Sequence, residues 1–304
     1  MPKSLIALDW GTTRARAFLI GAEGQVKQRR SADRGIQSVA PGGFPAAFEE
    51  IAGELRRVEP EAPILLAGMV GSRNGWIEAP YVACPASPEE IAAAALPVTL
   101  EDGSAARILP GLSCDEGAFD VMRGEETLIV GLGLQDGMVC LPGTHSKWAE
   151  IRSGRITRFA SFMTGEIFGL LRQHSILARL AEEPIGTDAA NGLRKGLEAG
   201  AREGGLLNTA FAARTEVLAG RMAGGEVGPY LSALLAAEEM RGALARFGRP
   251  GTVDLVAEGA VAESYRAALD AAGLPFRVTT PEAAFAAGIV RIAGFSKTAA
   301  FSAG

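Results

Sequence analysis

The feature that most constrains this chain is a strand–turn–strand unit that occurs twice. An apolar run at residues 5–8 leads into Asp9, Trp10, Gly11, Thr12 and Thr13. A second strand-like run covers 14–20, a Gly-Ala-Glu-Gly turn covers 21–24, and a third run covers 25–31. In the second half, Met138, Val139, Cys140 and Leu141 lead into Pro142, Gly143, Thr144, His145 and Ser146. Runs at 147–152 and 155–160 follow, separated by Ser153 and Gly154. Two hairpins with a Gly-Thr tip imply a duplicated domain that grips one anion with both copies.

The anion most consistent with these tips is phosphate. Glycine lets the backbone approach closely and turn sharply, and successive N–H groups in such a turn form an anion-binding nest. Thr12, Thr13, Thr144 and Ser146 add hydroxyl donors without charge. Asp9 would repel phosphate unless a cation lies between them. Magnesium, which takes one or two carboxylates plus phosphate oxygens and water, supplies that cation.

Strand-like runs alternate with helical periodicity along both halves, which indicates α/β architecture. Helices are expected over 45–57, 88–96, 121–132, 165–180, 188–200, 207–218, 229–246, 260–272 and 281–293. Further strands are expected over 63–67, 107–110, 253–257 and 276–279. The domains are expected to span 1–134 and 135–304, with the long helix near the end a candidate for crossing back to the first. The tail, 296–304, is small and polar enough to fray.

The formal net charge of −5 and the lack of any dense Lys/Arg run argue against a nucleic-acid partner. No stretch approaches the ~20 apolar residues of a membrane span. Cys84, Cys114 and Cys140 have no metal-ligand spacing. With no secretory segment in view, reduced thiols and a cytoplasmic location are expected. A P-loop and a GxSxG nucleophile elbow are both absent.

Residues 9–16 (DWGTTRAR) resemble the first phosphate motif of the sugar kinase, hexokinase, actin and Hsp70 superfamily. Four further blocks resemble the 2-dehydro-3-deoxygalactonokinase family: 67–72 (AGMVGS) running on to Trp76 and 79–81 (APY); 121–127 (VMRGEET); 141–148 (LPGTHSKW); and 163–166 (MTGE). The resemblance implies a two-domain actin-like ATPase (ribonuclease H-like) fold, with duplicated mixed sheets and an interdomain cleft. It also implies a kinase that uses ATP and Mg²⁺ to phosphorylate 2-dehydro-3-deoxy-D-galactonate at the 6-hydroxyl. A kinase of another sugar or sugar acid on the same fold and a non-catalytic ATP-switched actin-like sensor are the alternatives. Oligomeric state is not readable.

Under that resemblance, Gly11, Thr12 and Thr13 face the γ-phosphate, and Gly143, Thr144 and Ser146 hold the β/γ region. Asp9 takes Mg²⁺ directly or through water. Lys147 is a further phosphate candidate, although strand alternation can turn it away. Arg16 either pairs with Asp9 across the hairpin or reaches phosphate.

Related sugar kinases place a Gly-Asp pair at a helix start before the second phosphate motif. Gly124-Glu125 falls there, with glutamate in place of aspartate, so Glu125 is the candidate base. Asp120 and Glu126 stay open as bases, and all three could instead cap a helix N-terminus. The loop 68–76 supplies Ser72, Arg73, Asn74 and Trp76 for a sugar acid, with Arg73 suited to a carboxylate. Thr164, Gly165 and Glu166 are expected to line the substrate site as well. Adenosine is expected at Gly259 and Ala260. His145 is structural or a phosphate donor, and His174 is an ordinary helix residue.

Overall fold

The computed structural model describes residues 4–295; the expected fraying of 296–304 lies outside them. The chain opens with β1 (Ser4–Trp10), β2 (Ala15–Gly21) and β3 (Val26–Ala32), then α1 (Phe44–Val58) and β4 (Ile64–Gly68). Next come β5 (Tyr81–Ala83), α2 (Pro88–Ala93), β6 (Leu96–Thr99), β7 (Ala105–Ile108), β8 (Gly111–Asp115), β9 (Phe119–Met122) and α3 (Glu125–Leu132). The second repeat begins with β10 (Gly137–Leu141), β11 (Ser146–Arg152) and β12 (Arg155–Phe162). Then follow α4 (Thr164–His174), α5 (Asp188–Gly200), α6 (Gly205–Leu218), α7 (Val227–Phe247), β13 (Val253–Val256), α8 (Gly259–Ala271), β14 (Phe276–Thr279) and α9 (Pro281–Phe295).

The sheets carry the duplication. One is ordered β3-β2-β1-β4-β7-β6 and the other β12-β11-β10-β13-β14. Renumbered within each repeat, both read third, second, first, followed by three later strands in the first sheet and two in the second. Strand β1 runs antiparallel to β2 and parallel to β4, and β10 runs parallel to β13. The expected mixed sheets are therefore present in both halves. A third sheet, β5-β8-β9, had no counterpart in the sequence reading.

Three expected helices end or start elsewhere. Helix α2 opens on a Ser87/Glu90 capping box but stops at Ala93; Pro97 has no N–H to continue it and sits in β6 instead. The span expected as a helix over 121–132 is a strand as far as Met122. Gly124, at φ 111°, turns the chain, and α3 begins at Glu125. The span 165–180 breaks at Ser175, whose hydroxyl accepts the Leu177 N–H at 3.0 Å and starts a separate tight turn.

Contacts group the described residues into two units: 4–136 with 151–159 and 281–295, and 137–150 with 160–280. The closing helix thus departs from the contiguous 135–304 expectation. On α9, Phe285 packs against Phe18 of β2 with ring centroids 5.4 Å apart, and Glu282 pairs with Arg29 of β3 at 3.0 Å. Residues 151–159 group with the first unit through a bridge between Ile156 and Ala86.

The first unit's core joins Ile6, Leu8 and Trp10 of β1 to Phe44, Phe48 and Leu55 of α1 and Leu66 of β4. Sealing such aliphatic and aromatic side chains from water stabilises by roughly 1.5–3 kcal/mol each. In the second unit, Met138, Cys140 and Trp148 pack on Met240 of α7 and Tyr265 and Leu269 of α8. A separate cluster, including Ala199, Ala213, Tyr230 and Leu234, holds the helices α5 to α7 together.

Candidate active site

The first Gly-Thr turn is fixed through its carbonyls. The Gly35 N–H donates to the Thr13 oxygen at 3.1 Å, the Ile36 N–H to Gly11 at 3.0 Å, and the Gln37 N–H to Thr12 at 3.1 Å. Within a planar trans peptide the C=O and the following N–H point in opposite directions. Tying the carbonyls of 11, 12 and 13 to one side therefore turns the N–H groups of Thr12, Thr13 and Arg14 to the other. Those three residues are exposed. Consecutive donors facing outward are the arrangement that an anion nest requires.

Trp10 sets the base of this turn. It is fully buried, tilts on Phe44 at 5.7 Å, and donates its indole N–H to the Arg34 carbonyl at 2.8 Å. Asp9 and Arg16 face each other across β1 and β2, and Arg16 Nη2 lies 2.5 Å from Asp9 Oδ2. Of the two roles left open for Arg16, the structure takes the hairpin pair.

Three segments distant in sequence converge beside Asp9. A Cβ built on Gly68 would sit 3.6 Å from Asp9 Oδ1, and one built on Gly124 would sit 3.2 Å from the Gly68 Cα. The end of β4 and the start of α3 therefore meet next to the first turn. Glu125 Oε2 accepts the Arg123 N–H at 2.9 Å, and Glu126 Oε2 accepts the Gly124 N–H at 2.7 Å. Both acids thus cap the α3 start. Glu125 is half-buried, whereas Glu126 is 1% exposed. Burial, reinforced by the nearby Glu125 charge, pushes the Glu126 carboxyl up to about 7. Asp120 is placed apart, on β9 opposite Cys114, with its carboxylate accepting the Val121 N–H at 2.8 Å.

The loop after β4 is held from beneath. Ser72 Oγ donates to the Met69 carbonyl at 2.7 Å, and the Trp76 and Ala79 N–H groups bond Val70 and Gly71. Arg73 and Asn74 are exposed, with Arg73 Nε 3.9 Å from Glu78. Trp76 does not stand out as a wall. It stacks on Phe44 at 6.4 Å and tilts on Phe48 at 6.0 Å, as part of the packing on α1.

Sequence reading missed Arg123, which clamps the far end of the loop. It is 9% exposed, donates to the Ala79 carbonyl at 2.8 Å, and lies 4.3 Å over the Tyr81 ring. Its Nε and Nη1 have no partner among the described residues.

In the second unit, Gly143, Thr144 and His145 form an exposed tip while Ser146 is fully buried. The tip is backed by the start of α4. The Glu166 N–H donates to the Thr144 carbonyl at 2.9 Å, and a Cβ on Gly165 would fall 2.3 Å from the Gly143 oxygen. Only glycine permits that approach. His145 Nε2 lies 2.5 Å from Glu166 Oε2. Glu166 therefore serves the turn rather than standing alone at a substrate.

Ser146 and Lys147, expected to meet phosphate, are engaged inside the fold. Ser146 Oγ accepts the Gly143 N–H at 3.4 Å and lies 3.0 Å from the Tyr265 hydroxyl. Lys147 is 4% exposed and its Nζ donates back to the His145 carbonyl at 3.3 Å. Thr164 donates its hydroxyl to Glu239, a buried acid that the sequence did not single out. Glu239 also accepts Trp148 Nε1 at 2.8 Å and Tyr265 Oη at 2.5 Å. Burial raises its carboxyl pKa and pushes the Tyr265 hydroxyl well up. Gly259, at φ 64°, and Ala260 are exposed at the start of α8, the helix that carries Tyr265.

Comparisons with known proteins follow the same line. The model of the 2-keto-3-deoxy-galactonokinase family matches residues 9–292. DgoK1 of Rhizobium meliloti (strain 1021), named a probable 2-dehydro-3-deoxygalactonokinase, is 37% identical over 93% of this chain and 94% of its own. The 2-dehydro-3-deoxygalactonokinase of Escherichia coli (strain K12) is 32% identical over 96% and 98%. A crystal structure from Sinorhizobium meliloti, given the same kinase name, superposes with a TM-score of 0.82 at 34% identity, covering 97% of this chain and 98% of that one. The fold also extends to the activator of the Clostridium difficile 2-hydroxyisocaproyl-CoA dehydratase, at TM-score 0.55 and 12% identity. With two repeated mixed sheets, a glycine-bearing exposed turn in each, and a family match over nearly its whole length, this chain belongs to the 2-keto-3-deoxy-galactonokinase family of carbohydrate kinases.

Proposed function

We propose that this chain transfers the γ-phosphoryl group of ATP to the 6-hydroxyl of 2-dehydro-3-deoxy-D-galactonate, giving the 6-phosphate in D-galactonate breakdown. The observation that carries this reading is the outward N–H array of 12–14 beside Asp9, where Gly68 and Gly124-Glu125 converge. Phosphoryl transfer asks a protein mainly for positioning and charge neutralisation, and these residues offer both.

In this reading the turn at Gly11, Thr12 and Thr13 donates to phosphate oxygens through the N–H groups of 12–14 and the two threonine hydroxyls, with Gly11 letting the chain turn. Thr144 offers its hydroxyl from the second repeat and Gly143 lets the phosphate approach the backbone closely, with Ser146 and Lys147 holding that turn in shape. Asp9 holds Mg²⁺ through its Oδ1 side or through water, since Oδ2 is taken by Arg16. Among the described residues no group of three His, Cys, Asp or Glu could hold a metal. A single carboxylate completed by phosphate oxygens and water fits magnesium. When bound, that ion neutralises charge on the phosphates. Glu125 accepts the proton of the sugar hydroxyl, being the half-buried rather than the fully buried member of the Glu125–Glu126 pair. Ser72, Arg73 and Asn74 face the sugar acid, and Gly259 and Ala260 edge the adenosine.

The test is ADP release from ATP and Mg²⁺ across a panel of acceptors. The panel holds 2-keto-3-deoxygalactonate, its gluconate epimer, galactonate and neutral sugars. Release that rises at least tenfold with the first over the rest is expected. Release driven only by another acceptor would discard the substrate. Binding of ATP without acceptor-dependent release would make the chain a nucleotide-switched sensor instead.

A further inference from the structure

We propose that Glu239 is a positioning residue for the ATP-binding turn at 142–146, holding that turn from within the second unit. This inference rests on the kinase reading above and assigns the turn a support outside its own segment. Glu239 lies in the middle of α7 and is 3% exposed. Three donors from three other elements meet its carboxylate: Trp148 Nε1 of β11 at 2.8 Å, Tyr265 Oη of α8 at 2.5 Å, and the Thr164 hydroxyl that opens α4. Through Tyr265 the chain of bonds reaches Ser146 Oγ at 3.0 Å, and from there the Gly143 N–H at 3.4 Å.

Every element that shapes the tip is thus tied to one acid. Strand β11 begins at the turn, α4 packs its Gly165 and Glu166 against Gly143 and Thr144, and α8 starts at the residues proposed to edge the adenosine. A carboxylate is suited to this junction because it only accepts, so three donors can converge without one of them being turned away. A buried network that is fully satisfied fixes one arrangement, while removing its centre leaves several donors without partners at once. Loss of the acid should therefore loosen the turn and the α8 start together, without touching the sugar-acid loop of the first unit.

The experiment measures binding of ADP and of the β,γ-imido analogue of ATP by calorimetry, beside steady-state KM values for ATP and for the sugar acid. The proteins are the wild type, Glu239→Gln and Tyr265→Phe. Tyr265→Phe keeps the ring in the core and removes only the hydroxyl that touches both Ser146 and Glu239, so it serves if Glu239→Gln folds poorly. Nucleotide affinity should fall about tenfold or more in each folded variant, the scale of one lost buried hydrogen bond. The KM for the sugar acid should stay within about twofold, since a positioning effect on one turn is local. Wild-type nucleotide affinity in the folded variants would overturn the inference, as would equal losses for both substrates. Because calorimetry needs no acceptor, a wrong acceptor leaves this test standing. A wild-type protein that binds neither nucleotide would overturn the kinase reading and this inference with it.

Discussion

Asp9 is held by Arg16 on one side and presents its other oxygen toward Gly68. That division makes a sharp prediction at the level of one atom. Asp9→Asn keeps the size and can still accept from Arg16, but removes the charge that a divalent cation needs. Its kcat should drop at least ~100-fold with the melting temperature within a few degrees of wild type. Turnover like wild type in a folded Asp9→Asn protein would remove Asp9 from the mechanism.

The buried neighbour Glu126 gives a second residue-scale test, through pH. Its carboxyl titrates near 7 in the folded protein against an ordinary 4.5. Between those values the folded state keeps a proton that the unfolded state has lost, so its contribution to stability is full below about 4.5 and is lost as pH rises through 7. Urea midpoints of wild type and Glu126→Gln, measured from pH 4.5 to 8, isolate this group. The wild type should lose stability relative to the variant across that window. Parallel curves would show that Glu126 does not titrate there.

At the scale of elements, the turns are where sequence and structure agree best, and the physical reason is local. A strand that ends in Asp-Trp-Gly-Thr or Pro-Gly-Thr must turn within a few residues, and short-range chemistry decides how. Elements whose fate depends on distant partners were less legible. Val121 and Met122 look like the opening of a helix until Gly124 is seen to turn the chain, and until Val121 is found paired with Ser113 on β8. Trp76 reads as a sugar-acid contact, and its aromatic neighbours Phe44 and Phe48 on α1 are not legible because they lie about thirty positions earlier. Glu239 sits inside a long helix among alanines and leucines, where an acid usually faces water, and its partners come from three other elements.

The contact between α4 and the second turn is an element-scale claim that can be broken with one methyl group. Gly165→Ala would place a Cβ 2.3 Å from the Gly143 carbonyl oxygen. Either α4 or the turn must move, at a cost of about 1–3 kcal/mol. The variant should show a raised KM for ATP and a lower urea midpoint, both read on the same preparation. Unchanged values for both would mean that the turn is not braced by α4.

Across the whole molecule, the shared strand order of the two larger sheets is the strongest mark of duplication. It was foreshadowed only by two hairpins, because the repeats match in architecture and differ in sequence and in inserted helices. A late helix crossing back to the first domain was legible as a candidate, but what holds α9 in the first unit was not. Its attachment rests on close packing against α3, where Gly131 and Gly288 face the other helix's backbone, and on Phe18 and Arg29 far earlier in the chain.

The central claim is phosphoryl transfer to a specific hydroxyl of a keto-deoxy sugar acid. The most direct measurement is ³¹P NMR, with proton coupling, of the product formed from ATP, Mg²⁺ and 2-keto-3-deoxygalactonate. The account predicts a phosphomonoester signal split by two protons of a primary carbon, placing the group at C6. Inorganic phosphate alone, or an ester coupled to a single ring or chain proton, would contradict it.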